Sequence, residues 1–582
     1  MNASATISKS RTLSDHSADR RMVWLAGAAL FVGTAGACGA WILLKLIAIA
    51  TNLFWFGRLS TAPTEITDNT LGLGLVLVPI VGSLIVGLMA RFGSEKIRGH
   101  GIPEAIEAIL YGKSRLSTKV ALLKPLSSAI SIGSGGPFGA EGPIIMTGGA
   151  IGSLFAQRFH LSAAERKTLL VAGAAAGMTA IFGTPIAAVL LAVEVLLFEW
   201  KPRSFVPVVI ATLVSLAWRP WLMEAGPLFP FVAGMPAGAV TIGAALLVGI
   251  VVGIEAALLS GLLYRVEDLF HRLPIHWMWW PALGGIVVGL GGLADARVLG
   301  AGYHSIEMLL QGSMALRAVL SLLVIKAVVW LVALGSGTSG GVLAPLLILG
   351  GALGLMLGHF LPGSPGFWAM IGMAGIISGA MRAPLTGALF AVELTGHFDA
   401  LPATLAASVG AYAVSVLLMR RSILTEKIAR RGHHVLQEYT VDPFEFLRAA
   451  QVMTSDPVCL PGSMPVGDLG AYFARQGAHR SYPVIDAEGR LLGLVSRSDA
   501  LEWQVDGSRA QISLAEALSD ASQPFGWVQS PIGEIADKMI ATGTGRIPIV
   551  DPETMRVVGI LTRHDLLRAR YTQTSAESDR SR

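Results

Sequence analysis

The stretch GSGGPFGAEGP, Gly133 to Pro143, places one carboxylate, Glu141, inside a run of glycines and prolines in a very apolar chain. Glycine lets backbone approach a small ligand closely, and a proline two residues after the acid suits the first turn of a helix. A helix that begins there presents unpaired N–H groups and the positive end of its dipole, which together attract an anion. A carboxylate is itself an anion, and a proton neutralises it. The residue types therefore point to an anion site with one acid beside it. A second stretch, GSGTSGGVLAP from Gly335 to Pro345, repeats the glycines and the proline without the acid.

The elements that must position these motifs are membrane helices. Of 582 residues, 53% are hydrophobic and 14% charged, with a mean hydropathy of +0.61; soluble proteins carry about 25% charged residues. LGLGLVLVPIVGSLIVGLMA (Leu71–Ala90) holds no charge, and Ala239–Leu259 and Val319–Leu334 hold one each, Glu255 and Lys326. About 20 apolar residues cross a bilayer, so a polytopic membrane protein is expected and a soluble enzyme is excluded. Arg20 and Arg21 before the first span, and Arg420, Arg421, Lys427, Arg430 and Arg431 after the last, place both termini in the cytoplasm; the membrane expected is the plasma (inner) membrane. These basic flanks account for the net charge of +5 without nucleic acid. Residues 1–21 read as a disordered cytosolic tail and 573–582 as another. Two cysteines, Cys38 and Cys459, offer no disulfide framework.

The membrane part, 22–434, is duplicated. GSGGPFGAEGPIIMTGGAIG lies over GSGTSGGVLAPLLILGGALG at an offset of 202 (335 minus 133), and TPIAAVLLAVEV from Thr184 lies over APLTGALFAVEL from Ala383 at 199. A weaker pair, GHGIPEAIEAIL and GAGYHSIEMLL, has an offset of 201 (300 minus 99). The motifs mark repeat halves at about 70–200 and 270–396. Internally repeated membrane proteins place their sites at the midplane, where broken helices of both halves meet. Glycines that only let helices pack closely are the competing explanation for each motif alone. Composition changes to that of a soluble protein after Val435–Leu447. SYPVIDAEGRLLGLVSRSDALE (Ser481–Glu502) resembles RIPIVDPETMRVVGILTRHDLLR (Arg546–Arg568), each read as strand, turn, strand and a Ser/Thr-x-x-Asp that opens a helix. The pair spans 450–572, in units of about 450–505 and 525–572.

GHGIPE, GAEGP, GGVLAP and SILTEKIARRG, in that order over Val23–Gly432, resemble the CLC chloride channel and transporter family, and Val452–Arg570 resembles a pair of CBS domains. The fold class implied is an all-α polytopic membrane domain, an inverted repeat whose broken helices meet at the midplane, followed by a small α/β CBS pair. The resemblance implies a homodimer in the lipid bilayer with one chloride path per subunit and no enzyme activity. It makes Glu141 the gate, opened by voltage or protonation. It assigns the anion to His100, Gly101, Ile102, Gly139, Ala140, Gly142, Val342, Leu343 and the Leu424 position. For the tail it implies no required cofactor but an adenine nucleotide in the cleft, with Asp499 and Asp565 on ribose and Ser496 and Thr562 near phosphate; a pair that only packs is the alternative.

Three departures bear on mechanism. His100 stands where the family has a serine, and either donates one N–H to the anion or turns away and leaves a backbone amide. Leu424 stands at the family's tyrosine and predicts an apolar inner mouth. Val195 falls where proton-coupled members carry a relay acid, while Glu194 and its mate Glu393 read as structural acids at helix ends. The balance favours a channel over a proton-coupled antiporter, although a water wire could bypass Val195. A CBS-regulated magnesium-type transporter would need several oxygen ligands, and the motif loops supply one acid. GTSGG around Ser339 lacks the spacing of a serine-hydrolase loop, and the twelve histidines lack metal-ligand spacing.

Overall fold

The computed structural model describes residues 21–232, 238–433, 435, 444, 447–477, 479–505, 509–519 and 523–580, the last nine of these by backbone alone. The chain divides into two units, 1–437 and 438–582. The N-terminal tail and most of the boundary at Val435–Leu447 fall outside the described residues.

Among the described residues, seventeen α-helices build the first unit. The first half contains α1 (Arg21–Phe56), α2 (Leu77–Phe92), α3 (Ile102–Leu110), α4 (Thr118–Gly133), α5 (Glu141–Arg158), α6 (Ala163–Phe182), α7 (Pro185–Leu191, continued by a π turn to Leu197) and α8 (Pro202–Leu222). The second contains α9 (Ala239–His271), α10 (Trp280–Ala294), α11 (Tyr303–Leu310), α12 (Leu316–Gly335), α13 (Leu343–Gly358), α14 (Pro365–Met381), α15 (Pro384–Thr395) and α16 (Leu401–Leu418), with α17 (Thr425–Arg430) after it. Each helix of the first half has its mate eight places on. The repeat thus runs from α1 to α16, beyond the 70–200 and 270–396 marked by motifs.

Among the described residues, seven segments are long and apolar enough to cross a membrane. The site helices are shorter. Sixteen residues in α13 rise about 24 Å, less than the roughly 30 Å of a hydrocarbon core. Such helices start or stop inside the protein, where Gly-Pro loops break them.

The halves are inverted. The start of α1 lies beside the loop that follows α3, because Arg21 pairs with Glu165 at the start of α6 and Arg166 donates to the Lys113 carbonyl. The end of α9 lies on this same face, where Asp268 pairs with Arg430 and Tyr264 shares a cavity with Tyr111 and Gly112. So α1 begins where its mate α9 ends.

Close packing uses the glycines. A methyl at Gly148 would collide with the Gly173 carbonyl of α6, and one at Gly350 would lie 2.7 Å from the Gly372 carbonyl of α14. These motif glycines serve helix packing, whereas those nearer the loops serve the site. Helix starts follow local capping rules: Ser162 and Glu165 form a reciprocal box at α6, and Glu104 Oε2 accepts from the Gly101 amide at α3.

In the second unit, two sheets repeat one plan. Parallel β2 (Leu460–Pro461) and antiparallel β4 (Leu491–Ser496) flank β3 (Ser481–Ile485); parallel β5 (Gly526–Trp527) and antiparallel β7 (Val557–Thr562) flank β6 (Arg546–Val550), with β1 (Thr454–Ser455) added beside β7. The register shift recurs at the same place, between Val484 and Ile485 and between Ile549 and Val550. Each sheet buries its own core, Phe473, Tyr482 and Val495 in one, Ile535, Ile547 and Leu561 in the other. The two sub-units meet through backbone bonds, Leu491 N–H to the Met555 carbonyl and Val557 N–H to the Gly489 carbonyl. The final helix, Arg563–Arg580, continues through most of the stretch expected to be a disordered tail from 573.

Candidate functional site

Two helix N-termini, one from each half, meet around Glu141. The acid opens α5, and its Oε1 accepts the Ala344 amide of α13 at 2.7 Å. The amides of Leu343 and of Glu141 itself also face the carboxylate. Glu141 is fully buried. Its partner donor comes from the repeat mate of its own helix, and the loops before α5 and α13 are joined by Gly341 N–H on the Gly139 carbonyl at 2.9 Å. A carboxylate held by main-chain amides at a helix start occupies an anion site.

Space explains the glycines here. An added methyl at Gly139 would sit 2.5 Å from the Glu141 Cδ, and closer still to both oxygens. At Gly341 it would sit 2.9 Å from the same carbon, and at Gly142 it would strike the His100 carbonyl. Ala140 and Val342, both buried, precede α5 and α13 as caps. The assigned residues of the two loops and of Gly101–Ile102 are thus brought together. The donor at 2.7 Å, Ala344, lies one residue past the assigned stretch.

His100 reaches the site from α3 and is 2% exposed, with neither ring nitrogen hydrogen-bonded among the described residues. It lines a cavity of about 990 Å³ together with Arg98, Glu104, Tyr264, Lys427 and Arg431. Lys427 pairs with Glu104 at 3.0 Å and Arg431 with Glu104 at 3.1 Å. Arg98 stacks on Trp277, 4.6 Å from the ring centre. This mouth is charged, which corrects the apolar mouth predicted from Leu424. Leu424 is itself fully buried at the start of α17, but Tyr264 from α9 lines the cavity and its hydroxyl donates to the adjacent Ile423 carbonyl.

Two buried lysines hold the loops in place. Lys124 Nζ donates to the carbonyls of Ile97 and Gly99, at 2.8 and 2.7 Å, and to Ser339 Oγ at 3.1 Å. Lys326 Nζ donates to those of Val298 and Gly300, at 2.8 and 3.1 Å. They are repeat mates at the offset already found (326 minus 124 is 202), a signal that could have found them. Ser339 also bonds Ser127 and Ser128, so its hydroxyl ties α4 to the loop before α13.

Val195 is fully buried within the π turn. Glu194 accepts the Leu385 and Thr386 amides at the start of α15, and Glu393 accepts the Ile186 and Ala187 amides at the start of α7. Each acid caps the mate of its own helix, as the structural reading expects.

In the second unit, Asp499 Oδ2 accepts the amide and hydroxyl of Ser496, both at 2.7 Å, and Asp565 Oδ2 accepts those of Thr562 at 2.9 and 2.7 Å. These bonds join a strand end to the next helix. Among the described residues no cluster of His, Cys, Asp and Glu could hold a metal.

Comparison with known proteins agrees with this arrangement. The family model described as voltage gated chloride channel matches residues 81–416, and the CBS domain model matches 449–506 and 527–572. The chain belongs to the CLC family. It is 31% identical over 376 residues to the voltage-gated ClC-type chloride channel ClcB of Escherichia coli O17:K52:H18, covering 61% of this chain and 87% of that one. It is 27% identical over 380 residues to the H(+)/Cl(-) exchange transporter ClcA of Yersinia pestis, covering 62% and 78%. The solved structure of a slow cyanobacterial Cl−/H+ antiporter superposes with a TM-score of 0.62 at 21% identity, covering 71% of this chain and 98% of that one, a likeness of fold. The protein is therefore a multi-pass CLC chloride-transport protein with a C-terminal CBS pair.

Proposed function

We propose that the protein is a chloride channel opened by protonation or displacement of Glu141, acting as a homodimer in the plasma membrane with both termini cytoplasmic. The carrying observation is the Glu141 carboxylate seated on the Ala344 amide. Protonation removes the charge that holds the side chain on the helix N-termini, so the site is released to chloride and flux rises as pH falls. Val195 supplies no protonatable group at the relay position. The similarity to a protein named as an exchanger keeps proton coupling as the second reading. His100, with both nitrogens buried and unpaired, is positioned to offer an N–H to the anion and so to influence which halide passes. At the CBS pair, an adenine nucleotide would meet Ser496, Asp499, Thr562 and Asp565 at the helix starts and regulate transport.

The test uses purified protein in liposomes loaded with chloride, following chloride efflux and internal pH together. Chloride efflux without uphill proton movement, growing as pH falls and becoming pH-independent in Glu141→Gln, fits the channel. Proton uptake against its gradient, driven by chloride, would make the protein an exchanger and Val195 a bypassed position.

A further inference from the structure

Among the described residues, the polar side-chain atoms buried without a hydrogen bond include both ring nitrogens of His100, Oε2 of Glu141 and the hydroxyl of Tyr303. The first two belong to the gate already described. Tyr303 does not, and its hydroxyl makes no hydrogen bond among the described residues. The ring lies edge-on to Phe229 at 5.9 Å, a contact that phenylalanine would make equally well. A buried hydroxyl without a partner is disfavoured unless something that comes and goes takes it up.

Its place in the fold says what that is. Tyr303 opens α11 directly after Gly302, which is left-handed at φ +72°. The mate of α11 is α3, whose N-terminal loop carries His100. Because the halves are inverted, α3 reaches the gate from the charged cavity and α11 reaches it from the opposite face. There the next residue, His304, sits 3.5 Å from Glu65 in the loop beyond α1. The Tyr303 hydroxyl is close enough to the Ala140 amide and to the Glu141 carboxylate to interact electrostatically with both, and it forms a hydrogen bond with neither.

We infer that the Tyr303 hydroxyl is a specificity-determining ligand of the transported anion, donating a hydrogen bond to it on the side of the gate opposite His100. With Glu141 in place the hydroxyl lies within reach of the charge of a carboxylate whose Oε2 has no hydrogen-bond partner among the described residues. When the carboxylate leaves, the anion takes that position and receives the donor. The hydroxyls missing at His100 and Leu424 are in this way balanced by one from the other half of the repeat. Loss of a donor weakens most the anions that accept hydrogen bonds strongly, chloride more than thiocyanate.

This inference rests on the reading of Glu141 as gate. Full-length wild type, Tyr303→Phe and Glu141→Gln would be compared for chloride binding by calorimetry and for chloride and thiocyanate flux in liposomes. Tyr303→Phe should weaken chloride binding about tenfold and shift selectivity toward thiocyanate. Unchanged chloride binding and an unchanged flux ratio, with Glu141→Gln altered, would overturn the inference and leave the gate standing. A uniform fall in both fluxes at constant ratio would mark a structural role and overturn it as well. No effect of Glu141→Gln would remove the gate and the inference with it. Should Tyr303→Phe fail to fold, 3-fluorotyrosine at position 303 gives a fluorine resonance that must move with chloride concentration; a resonance that ignores chloride overturns the proposal.

Discussion

Gly139→Ala tests the spatial logic of the gate. An alanine Cβ at this position lies 2.5 Å from the Glu141 Cδ, while real Cβ atoms essentially never approach within 3.0 Å. Carbon–carbon contacts settle near 3.5–4.0 Å, so the carboxyl must retreat by about 1 Å. A shift of that size breaks the 2.7 Å bond to the Ala344 amide. A hydrogen bond to a charged group is worth about 1.5–3 kcal/mol, and every 1.4 kcal/mol is about tenfold. The closed arrangement should therefore lose about 10- to 100-fold in population. Chloride efflux from liposomes at a pH where the wild type is mostly closed should rise accordingly, with a flatter pH dependence. The same substitution in a Glu141→Ala background meets no carboxylate, so it should change little there. The two effects form a double-mutant cycle whose coupling is nearly the whole of the first. An equal effect of Gly139→Ala in both backgrounds would refute the reasoning, as would wild-type flux and pH dependence in the single variant.

Other expectations concern the supports of the site. Lys124→Met strands the Ile97 and Gly99 carbonyls, and should lower stability in detergent by about 2–4 kcal/mol and abolish chloride flux; a thermal-melt shift measures the first and liposome efflux the second. Glu393→Gln keeps an acceptor for the start of α7 but loses its charge, so the melting temperature should fall while any proton coupling stays as in wild type; a selective loss of coupling would make Glu393 a relay acid. Asp565→Ala removes the tie between β7 and the last helix, costing about 1 kcal/mol, and should reduce binding of an adenine nucleotide measured by calorimetry on the full chain.

Much of the site was legible because its chemistry is written in backbone. Glycines at 139, 142 and 341 stand where a methyl would strike the Glu141 carboxylate or the His100 carbonyl, and residues with that function leave a spacing that repeats. The Glu194 and Glu393 caps were legible for the same reason, since both occur in the second duplicated motif. The full extent of the repeat was not. Only 33–39% of the apolar windows of α1, α8, α9 and α16 is buried inside the protein, and faces turned to lipid require only apolar residues, in no particular order. Tyr264 escaped because it arrives from α9, 159 residues before the Ile423 carbonyl it bonds. The Leu424 position suggested a missing hydroxyl, yet a different helix places one at the adjacent carbonyl. Lys124 and Lys326 are each a lone charge in an apolar stretch, and only the 202-residue offset of the repeat marks them as a pair.

The central claim is that the position held by the Glu141 carboxylate, between the starts of α5 and α13, is an anion site. Crystals of Glu141→Gln grown in bromide would test it directly by anomalous scattering. The account predicts a bromide within about 3.5 Å of the Ala344 nitrogen, in the place the carboxylate vacates. Ordered helices with no bromide at that position, and the glutamine amide resting there instead, would contradict it.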